Sequence, residues 1–176
     1  MNSIQKYEQE KLQSEQDHHT PTAAAMISHI LSNLVIHRTK LKQIKAYLKG
    51  NQRSYLETKL PTIIAKEDEL FDELSQLVLD EGELIPTTTT EFVDYTMIKE
   101  SGQLKYESPE KMLTEMVADF ATQNLFVTRG IVLAEKENKY GLAEWLKGLY
   151  AWLNHQLYTW QSYLGNDIRE GLMEEE

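Results

Sequence analysis

Four stretches of this chain carry apolar residues at helical spacing, and in the first they alternate steps of four and three, the pattern of a helix with one buried face. Ile30, Leu34, His37, Leu41, Ile44 and Leu48 form the first row, on a helix expected from Ala23 to Lys49 with Thr22 as N-cap and Gly50 as its stop. Ile63, Ile64, Leu70, Phe71, Leu74, Leu77 and Val78 mark a second helix that closes at Gly82. Pro61 is expected in its first turn, because a proline further inside removes a backbone N–H and crowds the preceding turn. Ser108, Pro109 and Glu110 open a third, with Leu113, Met116, Val117, Phe120, Val127 and Ile131 on its apolar face. After a turn between Asn138 and Gly141, the fourth carries Trp145, Leu146, Leu149, Trp152, Leu153, Leu157, Trp160 and Leu164, and Gly165 ends it.

No useful strand-like alternation and no internal repeat interrupts this pattern. The expectation is an all-α four-helix bundle over residues 22–166, with an extension at 1–21 and an acidic tail at 167–176 ending in Glu174, Glu175 and Glu176. The long second connection contains Pro86 and the threonines Thr87 to Thr90, read as loop, and then a short helix over Phe92 to Ile98. In the extension, Ile4, Tyr7, Lys11 and Leu12 suggest a short amphipathic helix, and His18 and His19 read as flexible linker. His37 reads as a partly buried structural histidine, and the tryptophans as core and interface aromatics.

The net charge of −10 argues against nucleic-acid binding by the whole surface, since such affinity rests largely on Lys and Arg neutralising phosphates. DNA binding would need a local basic element or an arm. The absence of cysteine removes disulfides, thiolate metal sites and cysteine nucleophiles, and it suits a reducing compartment. No apolar run approaches the roughly 18 residues of a membrane span, and the first residues lack a signal peptide's apolar block, so the cytoplasm is the expected location. Ser, His and Asp occur without a nucleophile elbow or phosphate loop.

Several fragments carry a resemblance when taken in order. They are Tyr47-Leu48-Lys49-Gly50, Phe71-Asp72-Glu73-Leu74, Leu84-Ile85-Pro86-Thr87, Glu115-Met116-Val117 and Ser162-Tyr163-Leu164-Gly165. Their sequence and spacing resemble the Dps family, in which a helix ending in a VKG-like turn precedes an IDELAER-like helix and a G-x-P loop. The resemblance covers about residues 25–165 and implies a ferritin-like four-helix bundle that assembles into a hollow dodecamer.

It also implies an iron-oxidation site between two subunits, built from two histidines facing an aspartate and a glutamate of the partner. Mixed imidazole and carboxylate ligands suit Fe(II), and carboxylates stabilise Fe(III). By the ungapped spacing, the histidine positions hold Lys45 and Glu57, the aspartate is Asp72, and the glutamate position holds Gln76. Only Asp72 is retained. An ammonium has no lone pair for a metal and repels a cation, and no histidine lies between His37 and His155 to restore the site. Ala46 stands where a tryptophan commonly follows, and Thr58, Pro61 and Thr62 fall where the family nucleates mineral.

Arg38, Lys42, Lys45 and Lys49 line one side of the first helix, and Glu67, Asp68, Glu69, Asp72 and Glu73 lie on the second. The expectation is a Lys45–Asp72 ion pair across the subunit interface, in place of the metal. The alternative is that both rows are solvated faces.

The implied functions are DNA protection in association with the nucleoid, through Lys6 and Lys11 of the extension, or iron storage with entry past Glu137 and Glu144 at an acidic pore. A purely structural assembly is the third reading.

Overall fold

Capping sets most of the element ends in the computed structural model, which describes residues 1–172; the Glu174 to Glu176 tail lies outside the described residues. Asn2 and Gln5 form a reciprocal capping box, with Asn2 Oδ1 accepting from Gln5 N and Gln5 Oε1 accepting from Asn2 N. It starts α1, Ser3–His19, far longer than the short helix expected. Thr22 caps α2, Ala23–Tyr47, by accepting from Ala25 N at 3.1 Å. α3 is Arg53–Asp80, and α4 is Thr89–Tyr95, capped by Thr88 and shifted towards the N-terminus from the expected Phe92 to Ile98. A 3₁₀ turn at Gly102–Tyr106, unseen in the sequence, leads to α5, Pro109–Lys136, which has Ser108 as N-cap and Pro109 in its first turn as expected. α6, Tyr140–Leu164, ends at Gly165, whose φ of 78° is the left-handed conformation that terminates helices.

Pro61 corrects one expectation: it lies inside α3, which begins at Arg53. Leu56 and Leu60 are fully buried and extend the apolar row of Ile63, Leu70, Leu74 and Val78 backwards through the proline. Their burial, at about 1.5–3 kcal/mol per side chain, exceeds what one interior proline takes away.

α2 pairs with α3, and α5 with α6, as two antiparallel hairpins. The segment 81–108 between them runs the length of the bundle, so α3 and α5 are parallel; α2 packs on α5, and α3 on α6. α4 lies on α2, where Asn33 Oδ1 accepts from Thr96 Oγ1 and from Met97 N at 2.8 Å. Leu31, Leu34, Leu41, Leu74, Leu113, Phe120, Leu146 and Leu153 are among the residues at the centre. Gly130 lets α5 close on its neighbours: a Cβ there would stand 3.1 Å from Ile30 Cδ1 and 3.4 Å from Leu146 Cδ1. Among the described residues no helix is long and apolar enough to cross a membrane.

Replacing Pro61 by Ala should stabilise the protein by about 1–3 kcal/mol, because the helix already passes through this position. A higher urea midpoint would show it, and an unchanged or lower midpoint would mean that the bundle is fitted to the proline.

Candidate functional site

Two cross-links fix how α2 lies against α3. His37 Nδ1 and Glu67 Oε1 share a hydrogen bond at 2.5 Å, and the next residues along, Arg38 and Asp68, form an ion pair. In this antiparallel register Lys45 faces the stretch around Pro61, about eleven residues from Asp72, or ~16 Å along the helix. Lys45 and Asp72 of one protomer therefore sit at different levels of the bundle.

The acidic row of α3 is nearly used up within the protomer. Glu67 is buried against His37, Asp68 pairs with Arg38, Glu69 with Lys66, and Glu73 accepts from Trp145 Nε1 at 2.9 Å. Asp72 is exposed and enters none of the hydrogen bonds or ion pairs among the described residues, and the same holds for Lys42, Lys45 and Lys49. The other two mapped positions are engaged. Glu57, carried on α3 because that helix starts early, pairs with Arg53 at 2.6 Å, and Gln76 Nε2 donates to Asp80 at 2.8 Å. Among the described residues, no three His, Asp or Glu side chains are placed to hold a metal ion.

The two acids mapped to a pore differ. Glu144 is exposed, while Glu137 Oε2 accepts from Ala23 N at 2.6 Å and so caps the start of α2. Lys139 adds to this end of the bundle through Glu83 at 2.6 Å and Glu137 at 3.7 Å.

Sequence reasoning missed a buried polar group at the heart of the bundle. His37 is fully buried, Glu67 is 1% exposed, and Lys40, only 3% exposed, reaches Asp119 at 2.8 Å and Glu115 at 3.2 Å. His37 Nε2 lies 4.0 Å from Asp119 Oδ2, which joins the two pairs into one network across α2, α3 and α5. Burial pushes the Glu67 carboxyl above its ordinary range against the opposing pull of His37, and Asp119 is raised likewise, against His37 and Lys40. The available signal was Lys40 one turn from His37 in an apolar row.

The extension also departs from expectation. His18 is not linker: it lies in the last turn of α1 with its ring 5.8 Å from that of His29, and His29 Nδ1 donates to the Tyr95 carbonyl at 2.6 Å. Ile4 and Leu12 face solvent, while Tyr7 and Ser14 meet Glu91 and Tyr95 of α4. Lys6 and Lys11 are both exposed, with Lys11 paired to Glu8 at 2.6 Å.

Two hairpins joined by a bundle-long crossover define a ferritin-like protein, and a family model for the ferritin-like domain matches residues 24–169. Two solved structures narrow the class: the DpsB and DpsA proteins of Lactococcus lactis MG1363 are 38% and 39% identical to this chain. The matches cover 95% and 96% of it and 96% and 99% of theirs, with TM-scores of 0.89 and 0.90. The chain belongs to the Dps family of ferritin-like proteins. A curated relative, the DNA protection during starvation protein of Listeria monocytogenes, is 22% identical over 139 residues, 79% of this chain and 89% of its own.

His37→Ala should destabilise the protein by about 3–5 kcal/mol, because it strands a buried carboxylate, whereas the His37→Leu/Glu67→Leu double variant should come close to wild type. Equal losses in urea unfolding of the two would contradict the network. The raised carboxyls also set a pH dependence. A carboxyl with a raised pKa in the folded state favours folding most below its unfolded value, and that contribution is lost as pH rises through the folded one. The urea midpoint of Glu67→Gln should therefore gain on wild type as the pH is raised from acid to neutral.

Proposed function

We propose that this chain forms a hollow dodecameric shell in the cytoplasm, associated with the nucleoid, that binds and protects DNA under stress. In this reading the iron-oxidation site between subunits has given way to an ion pair. The observation that carries the ion pair is the state of Asp72: of five acids in its row, it is the one left without a partner among the described residues. Lys45 likewise has no partner among the described residues, and a two-fold-related copy would present it to Asp72. An ammonium there supplies the positive charge that bridging iron would otherwise bring, and it offers no lone pair to a metal.

DNA protection is supported by the name of the Listeria relative and by the arm that α1 provides. Lys6 and Lys11 are exposed on it, but Glu8, Glu10, Glu15 and Asp17 outnumber them, so each arm binds weakly. Twelve arms on one shell multiply weak contacts through avidity. In gel-shift assays the full-length protein should retard linear duplex DNA in a steeply salt-sensitive way, and a version lacking residues 1–20 should not. Equal retardation by both would remove the arm from the mechanism.

A second reading, storage or detoxification of iron or another metal ion with residual binding at Asp72 and Glu57 and entry past Glu137 and Glu144, is favoured by Asp72 and Glu144, two exposed carboxylates without a partner among the described residues. Fe(II) added anaerobically and followed by peroxide separates the two. The first reading expects no rapid saturable phase of oxidation. A rapid phase that Asp72→Ala abolishes would establish the second and overturn the ion pair.

A further inference from the structure

α1 has no buried residue, yet it lies along the bundle. Its contacts with the rest of the chain run down one face. Tyr7 OH donates to Glu91 Oε1 at 3.2 Å, Ser14 Oγ and the Tyr95 hydroxyl lie 3.0 Å apart, and the His18 ring faces those of His29 and Tyr95 at 5.8 and 6.4 Å. Between α1, α2, α4 and the segment around Glu83 a cleft of about 340 Å³ remains open. The helix is held by a few polar contacts and one histidine cluster, not by a packed apolar face.

We infer that this cluster is an acid-released latch: protonation of His29 frees α1 from the bundle and turns it into a mobile arm. The inference concerns the regulation of the DNA-binding reading above and rests on that reading for its purpose, although not for its mechanism. A carbonyl oxygen can only accept, so the contact with Tyr95 places the hydrogen of neutral His29 on Nδ1 and leaves Nε2 to titrate. Further protonation puts a charge into a mostly buried ring that lies against Phe126 at 5.6 Å and faces a second imidazole.

The surroundings do not compensate that charge. On α1, Glu10 and Asp17 line the cleft with Lys11; on α4, Glu91 and Asp94; and Glu83 reaches it from the connection. None of these carboxylates is bonded to either imidazole. Asp17 accepts from Gln13, Glu91 from Tyr7 and the N–H groups of Thr87 and Thr88, and Glu83 from Lys139. From α5, Arg129 lies over the Phe126 ring and adds a further positive charge nearby. Burial, assisted by His18 and opposed by the Tyr95 hydrogen bond, holds the His29 pKa below its ordinary value. A group whose pKa is lowered in the docked state favours docking above its free value, and that support is lost as the pH falls towards the docked one. Acid therefore opens the latch.

Hydrogen-exchange protection of α1 in the assembled full-length protein, compared at about pH 7.5 and pH 5.5, tests the latch directly. Wild type should show protected α1 amides at the higher pH and lose protection by about tenfold or more at the lower, while the bundle helices keep theirs. His29→Phe, which keeps a ring but cannot take a proton, should hold α1 docked at both, and His18→Gln, an exposed position safe for folding, should reduce the loss. Equal protection of wild-type α1 at both pH values, or equal loss in wild type and both variants, would overturn the proposal. Gel shifts with linear duplex DNA on the same samples separate it from the reading it serves. Release of α1 with unchanged DNA retention would uphold the latch and refute the DNA role of the arm.

Discussion

The contact between His37 and Glu67 is the one on which the arrangement of this bundle turns. It sits in the middle of α2 and α3, out of reach of water, where an unmatched carboxylate or imidazole is costly. Sliding α3 along α2 by one turn would break this pair and the Arg38–Asp68 pair beside it. Leucine rows alone tolerate such slips, because one leucine replaces another with little loss. The polar pair, extended through Asp119 to Lys40, specifies the register in a way that apolar burial does not.

That register has consequences at the surface. It commits Glu67 and Asp68 to α2, while Glu69 pairs with Lys66 on its own helix and Glu73 with Trp145 of α6; Asp72 is left exposed, roughly three helical turns from Lys45. A feature of the buried core thus bears on which charges are left at the surface. The crossover is tied to the same frame: Asn33 of α2 holds its backbone, which places α4 and Tyr95 where α1 can lie against them.

The packing of α1 is of a different kind. The bundle helices are held by side chains with almost no exposure, whereas α1 contributes none and relies on hydroxyl, carboxylate and imidazole contacts around an open cleft. Elements held this way occupy the low end of local stability, where ligand or proton binding can change their state. The molecule therefore combines a rigid frame with one weakly attached helix.

The sequence by itself determined the four bundle helices, their caps at Thr22, Ser108 and Gly165, the long crossover and the family, because these depend on local periodicity and on residues with fixed conformational preferences. It did not determine where α3 starts. Proline chemistry placed Pro61 in a first turn, and only the burial of Leu56 and Leu60 against the other helices carries the helix through it. Nor could it show that Lys40 and Glu67 are buried, that Glu137 caps α2, or that His18 meets His29, since each joins residues on different helices or inverts the usual preference of a charged side chain for water. Periodicity reports which face of a helix is buried. Tertiary structure alone decides which polar groups meet there, because the free energy of a buried charge depends on the partner it finds.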